Sequence, residues 1–132
     1  MPAVLDTHAA IWYLLDSTKL PGQVYSLIDS AAASGTPAYI SAVSLVEVVY
    51  LVEGGRIAAH AFNRFASELD SEKPAFRVVP LDGRVAMALK LIPRNVVPDM
   101  PDRIIAATAL HLGLPLVTRD RRLQSAAIKT IW

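Results

Sequence analysis

The chain has 132 residues, of which 53% are apolar and 19% charged, with a formal net charge of +1 and no cysteine. That is the length of one domain able to bury a core without staples, and the missing cysteines exclude a disulfide framework, thiolate metal sites and thiol nucleophiles. Residues Met1 to Asp6 lack the basic and apolar regions of a signal peptide, and the uncharged stretch Ser30 to Val46 is broken by Gly35 and Pro37, which argues against a membrane span.

In chain order, Ala3-Val4-Leu5 predicts a strand at about residues 2–6, followed by an apolar helix over residues 8–15. A second helix is expected from about Gly22 to Ala33, before the break at Gly35 and Pro37. A strand at 37–41 leads to a helix at 42–53 closed by Gly54-Gly55, and another helix covers about 57–70. After a strand at 76–80, Leu81-Asp82-Gly83 turns into a helix that runs through about Leu91. Pro93, Pro98 and Pro101 mark a loop, which leads into a helix expected to open at Asp102 and end at Leu112, capped by Gly113. Strands at 115–118 and 128–131 complete the pattern. Short apolar strands alternating with helices predict one α/β domain, residues 1–132, with a parallel sheet of about five strands between helical layers.

Four acids far apart in sequence are placed to converge. Asp6 and Asp120 each follow a buried strand, at the carboxyl edge where open parallel sheets bind ligands. Glu47 interrupts the apolar stretch Ala42 to Val52, and Asp102 is followed by Arg103-Ile104-Ile105-Ala106-Ala107. Each has an ordinary reading: Asp6 and Asp102 as helix caps, Glu47 as part of a capping box with Ser44, Asp120 as a partner for its flanking arginines. Ser41, however, is an equally good cap and puts Glu47 inside the helix, where burial is costly unless the charge is paired. Taken together, the four carboxylates call for a hard divalent cation. Thr7 and Thr118 are candidates to orient them. His8, near Asp6, is read either as lining the site or, the favoured reading, as packing at a helix start, and Trp12 and Trp132 are expected to serve as core or interface aromatics.

Charge is unevenly spread. Residues 1–83 carry five Lys/Arg against nine Asp/Glu, and residues 84–132 carry eight against three. A basic surface around an acidic centre suits a polyanion, with Arg119, Arg121 and Arg122 as candidate phosphate contacts, although a solvated helical face explains the count as well. Arg103 is expected to be structural, orienting Asp99 or Asp102.

Asp6-Thr7-His8-Ala9-Ala10-Ile11-Trp12, Ser41-Ala42-Val43-Ser44-Leu45-Val46-Glu47, the segment from Pro98-Asp99-Met100-Pro101-Asp102 to Ala109, and Leu114-Pro115-Leu116-Val117-Thr118-Arg119-Asp120 resemble, in order and spacing, the PIN-domain ribonucleases, and more narrowly their VapC toxin branch. The resemblance implies a parallel five-stranded α/β/α sandwich and a Mg²⁺- or Mn²⁺-dependent endoribonuclease that leaves a 5′-phosphate and a 3′-hydroxyl. It also implies a protein held inactive by a VapB-like antitoxin, while the N-terminus and the broken apolar stretch make a soluble cytoplasmic protein the expectation. Carried over by position, Asp6, Glu47, Asp102 and Asp120 match the acidic metal-site residues, with Asp99 auxiliary and Thr118 supporting. Met100-Pro101 stands where the branch often has a Pro-Phe pair, a departure that bears on substrate preference. The apolar helices Ala9–Leu15 and Ala42–Val52 are the surfaces expected to receive an antitoxin, a homodimer partner or the core. The alternatives are a housekeeping RNA-processing nuclease of the same fold and a PIN-like protein-interaction module. An aspartyl-nucleophile phosphatase fits poorly, since the second acid it needs falls at His8.

Overall fold

The computed structural model describes residues 2–132. Five strands, β1 (Val4–Leu5), β2 (Ala38–Ser41), β3 (Phe76–Val79), β4 (Leu116–Val117) and β5 (Thr130–Ile131), form one sheet in the order β3-β2-β1-β4-β5. All four pairings are parallel. The helices are α1 (Thr7–Leu14), α2 (Gly22–Ala33), α3 (Ala42–Glu53), α4 (His60–Asp70), α5 (Gly83–Ala88), α6 (Met100–Leu112) and α7 (Arg121–Gln124). A 3-10 turn, Leu89–Leu91, continues α5.

The sheet is apolar on both faces because both are covered. Leu5, Ile40 and Val117 point into one layer with Ile11 of α1, Val24 and Ile28 of α2 and Phe65 of α4. Their neighbours Val4 and Leu116 point the other way, against Ile104 and Ile105 of α6 and Leu123 of α7. This is the two-residue alternation of a strand serving two cores, and each side chain so buried contributes roughly 1.5–3 kcal/mol. Helix α3 reaches both layers, with Val48 in the first and Val43 in the second.

Two helix starts and one short helix depart from the sequence expectation, each for a local reason. Helix α4 begins at His60 rather than near residue 57, because the amides of Arg56 and Ile57 are held by the carbonyl of Leu51 at the end of α3. Helix α6 begins at Met100 rather than Asp102: Asp99 takes the N-cap position, and Pro101 is tolerated in the first turn, where its missing N–H is not needed. Asp102 therefore lies inside the first turn and does not open the helix. The four-residue α7 was not expected, being too short to show a period. Gly113 ends α6 at φ 66°, the left-handed cap read from the sequence.

Arg103 is structural, but its partners are not the acids: its guanidinium donates to the carbonyls of Leu89 and Ile92 at 2.9 and 3.0 Å. It thus ties the 3-10 turn to α6. Among the described residues, no helix is long and apolar enough to cross a membrane.

The chain builds β1, β2 and β3 outward in one direction and returns to lay β4 and β5 on the other side of β1. The reversal opens a crevice at the carboxyl ends of β1 and β4, the position at which such sheets bind ligands.

Candidate functional site

Asp6 is the first residue past β1 and the N-cap of α1. Its Oδ1 accepts from the Ala9 amide at 2.8 Å, and its Oδ2 accepts from the Thr118 hydroxyl. Thr118 follows β4 and is fully buried. Its oxygen in turn accepts from the Asp120 amide at 3.0 Å, so one hydroxyl links the acids at the ends of two adjacent strands. Asp120 caps α7 by accepting from the Arg122 amide at 2.8 Å.

Ser41 caps α3 through the Val43 amide, which phases the helix so that Glu47 is an interior, half-buried residue. Thr7 donates to Glu47 Oε1 at 2.5 Å, and its oxygen lies 2.9 Å from Ser44 Oγ. Asp102, half-buried in the first turn of α6, completes the set. Asp6, Glu47, Asp102 and Asp120 line a single cleft of about 390 Å³, together with Thr7, His8, Trp12 and Arg119.

The cleft's field is visible in its acids. The Asp102 carboxyl is pushed up to about 6, first by burial and then by the negative charges of Asp120, Glu47, Asp99 and Asp6. Asp6 is raised as well, chiefly by burial, against the lowering effect of the Thr118 hydroxyl, the Ala9 amide and His8. Gathered like charges of this kind, all hard oxygen with no thiolate, are the donor chemistry of Mg²⁺ or Mn²⁺. Among the described residues, no three acidic or imidazole groups converge on one coordination point. Asp6, Glu47 and Asp120 each commit an oxygen to a protein donor instead.

Asp99 stands outside the cleft lining. It is exposed and forms an ion pair with Arg122 at 3.5 Å, although it is close enough to act on the Asp102 carboxyl. Arg121 is exposed on α7, while Arg119 lines the cleft. Trp12, read from sequence as a core or interface aromatic, and His8, for which the sequence favours packing over lining the site, both line it: they sit one helical turn apart on α1, with ring centroids 5.6 Å apart. Their spacing from Asp6 was the available signal. Helix α1 is otherwise core, with Ala9, Ala10, Ile11 and Leu14 buried, so of the readings open to it, docking face or core, it takes the core. Helix α3 does offer an apolar face, exposing Val46 and Tyr50.

A parallel sheet whose strand order reverses beside an acidic cleft defines the class of protein, and the PIN domain family matches residues 3–129; the chain belongs to that family. Within it, the chain is 31% identical to Ribonuclease VapC22 of Mycobacterium tuberculosis over 122 residues, covering 92% of this chain and 89% of that protein. Among solved structures, its fold is similar to VapBC2 from Rickettsia felis bound to a promoter DNA fragment, with a TM-score of 0.74 at 15% identity and coverage of 99% and 98% of the two chains. It is also similar to DNA-bound VapBC from Salmonella typhimurium, with a TM-score of 0.69 at 20% identity and coverage of 99% and 97%.

Proposed function

We propose that residues 1–132 form one PIN domain acting as the toxin of a toxin–antitoxin pair, a divalent-metal-dependent endoribonuclease of the cytoplasm. The observation that carries this reading is the single cleft shared by Asp6, Glu47, Asp102 and Asp120, brought from four different elements. The ribonuclease relative, similar over nearly its whole length, supports the activity.

Asp6, Glu47, Asp102 and Asp120 are the residues that would hold Mg²⁺ or Mn²⁺, with Asp99 as an outer acid. When bound, the cation would polarise the scissile phosphodiester and acidify an attacking water. The chain's own contribution is positioning. Thr118 fixes Asp6 against the Asp120 backbone, Thr7 fixes Glu47, and the arginines at 119, 121 and 122 offer N–H groups to flanking phosphates.

The partner reading is a VapB-like antitoxin whose tail places a cation among the acids and apolar side chains beside them. Two apolar hollows meet at Val46 on α3, and one of them adjoins the cleft. One, about 260 Å³, lies between α3 and α4 and includes Val46, Phe62 and Leu69. The other, about 380 Å³, runs from Tyr50 to Met100 and Pro101 and is lined by Glu47, which also lines the acidic cleft. A peptide running over Val46 and on past Glu47 would occupy both and reach the acids. The same exposed face would serve a homodimer.

Cleavage of total RNA by the purified chain, with Mn²⁺ and with chelator, tests the activity. Cleavage is expected only with metal, and Asp102→Asn and Asp6→Asn are expected to lose it while keeping the wild-type circular dichroism. Full activity in both variants would sink the assignment.

A further inference from the structure

Arg119 shares its cleft with four carboxylates, yet the ion pair formed among the described residues is Arg122 with Asp99. The Arg119 guanidinium instead lies 4.5 Å from the centroid of the Trp12 ring, and Lys19 Nζ lies 5.9 Å from it. An indole face attracts a guanidinium without consuming its N–H groups, whereas a carboxylate would take them in a bidentate pair. Trp12, only 9% exposed, is thus an anchor that keeps the Arg119 donors available to another anion.

Sheet register brings a second tryptophan to this place. Val117 of β4 pairs with Ile131 of β5, and the Thr118 amide donates to the Ile131 carbonyl. Trp132 therefore leaves β5 beside Arg119. Its ring meets Trp12 edge-on at 5.9 Å and remains 37% exposed. His8, exposed, adds its ring to Trp12 from one turn earlier on α1. Two accessible rings therefore flank Trp12, His8 lining the acidic cleft with the unpaired Arg119 guanidinium and Trp132 standing at the end of β5.

We propose that Arg119, Trp132 and His8 form a nucleotide subsite adjoining the carboxylates, with Trp12 as the positioning residue that holds Arg119. Arg119 receives the phosphate next to the scissile one, and the rings of Trp132 and His8 stack its base. The bound single strand then leaves the cleft over β5. This rests on the ribonuclease reading and adds where the substrate's flanking nucleotide lies. The subsite recognises any nucleobase through its π-face, so it orients the strand rather than reading its sequence.

The test measures binding of a short single-stranded RNA, and of an abasic RNA of equal length, to the full chain in chelator; Mn²⁺-dependent cleavage of the base-bearing RNA is followed separately. Trp132→Ala is expected to weaken the base-bearing RNA about tenfold and the abasic one little, as loss of one stacking contact implies. Arg119→Gln is expected to weaken both alike and to lower the salt dependence by about one phosphate contact. Trp12→Leu should reproduce Arg119→Gln without adding to it in the double variant. Trp12→Phe, which keeps an aromatic face, should fall between them and the wild type; it decides the anchoring role if the leucine variant melts too low to assay. Wild-type binding by both Trp132→Ala and Arg119→Gln overturns the subsite, as does equal weakening of the two RNAs by Trp132→Ala. If the wild type fails to cleave with Mn²⁺ while the binding pattern holds, the ribonuclease reading fails and the subsite stands.

Discussion

Asp102 carries the cleft's electrostatics in its own titration. Its carboxyl is pushed up to about 6 from 3.8, so the folded chain holds that proton more tightly than the unfolded chain. The resulting stability is fully present below the unfolded value of about 4, is lost as pH rises to about 6, and leaves a penalty at neutral pH. Asp102→Asn removes the titration. Between about pH 4 and pH 6.5 its unfolding free energy should therefore fall less than the wild type's, by on the order of 1 kcal/mol once solvent screening of a half-exposed group is allowed for; parallel profiles would contradict the field described. Thr118 offers a second measurement at this scale. Its buried hydroxyl donates to Asp6 and accepts from the Asp120 amide, so Thr118→Val should lose about 1–3 kcal/mol and most of the cleavage, while Thr118→Ser keeps both. Equal behaviour of the two variants would count against the link. Asp6 and Asp120 were legible as strand-end acids, because a strand followed by a carboxylate is a local pattern. The contact between Trp12 and Arg119 was not, since an indole next to a guanidinium 107 residues away is made by the sheet and leaves no local mark.

At the scale of the element, a few caps set the phase on which the cleft depends. Ser41 starts α3, and that start decides that Glu47 points inward to Thr7 and not back to a cap. The sequence showed both options, and the strand β2, ending at Ser41, settles between them. At the far end of α6 from Asp102, Gly113 takes a φ of 66°, which a side chain adopts only with strain. Gly113→Ala should cost about 1 kcal/mol in a thermal melt and leave cleavage intact. Loss of activity there without loss of stability would mean that α6 does more than carry Asp102. Most elements were legible because their periods and breakers are strong. The start of α4 and the whole of α7 were not: the first is fixed by amides folding back on Leu51, and the second is a single turn made by one Asp120 cap.

For the whole molecule, the topology explains why four dispersed acids meet. The reversal of strand order between β1 and β4 puts the ends of two parallel strands and the start of α6 around one crevice, and α3 closes it with Glu47. The partner reading also belongs here. Expression of this chain alone should slow growth, and co-expression with the product of an adjoining small gene should restore it and yield a stable complex. Harmless expression of a chain that cleaves RNA in vitro, with no binding partner encoded beside it, would favour a housekeeping nuclease. The central claim, that the four carboxylates act as one divalent-metal site, is tested most directly by melting the purified chain at pH 7.5 in chelator and in millimolar Mn²⁺. A cation that binds the folded chain should relieve the mutual repulsion and raise the melting temperature by mass action, and the rise should shrink in Glu47→Gln and in Asp102→Asn. Identical wild-type curves with and without Mn²⁺, or an equal rise in all three proteins, would contradict it.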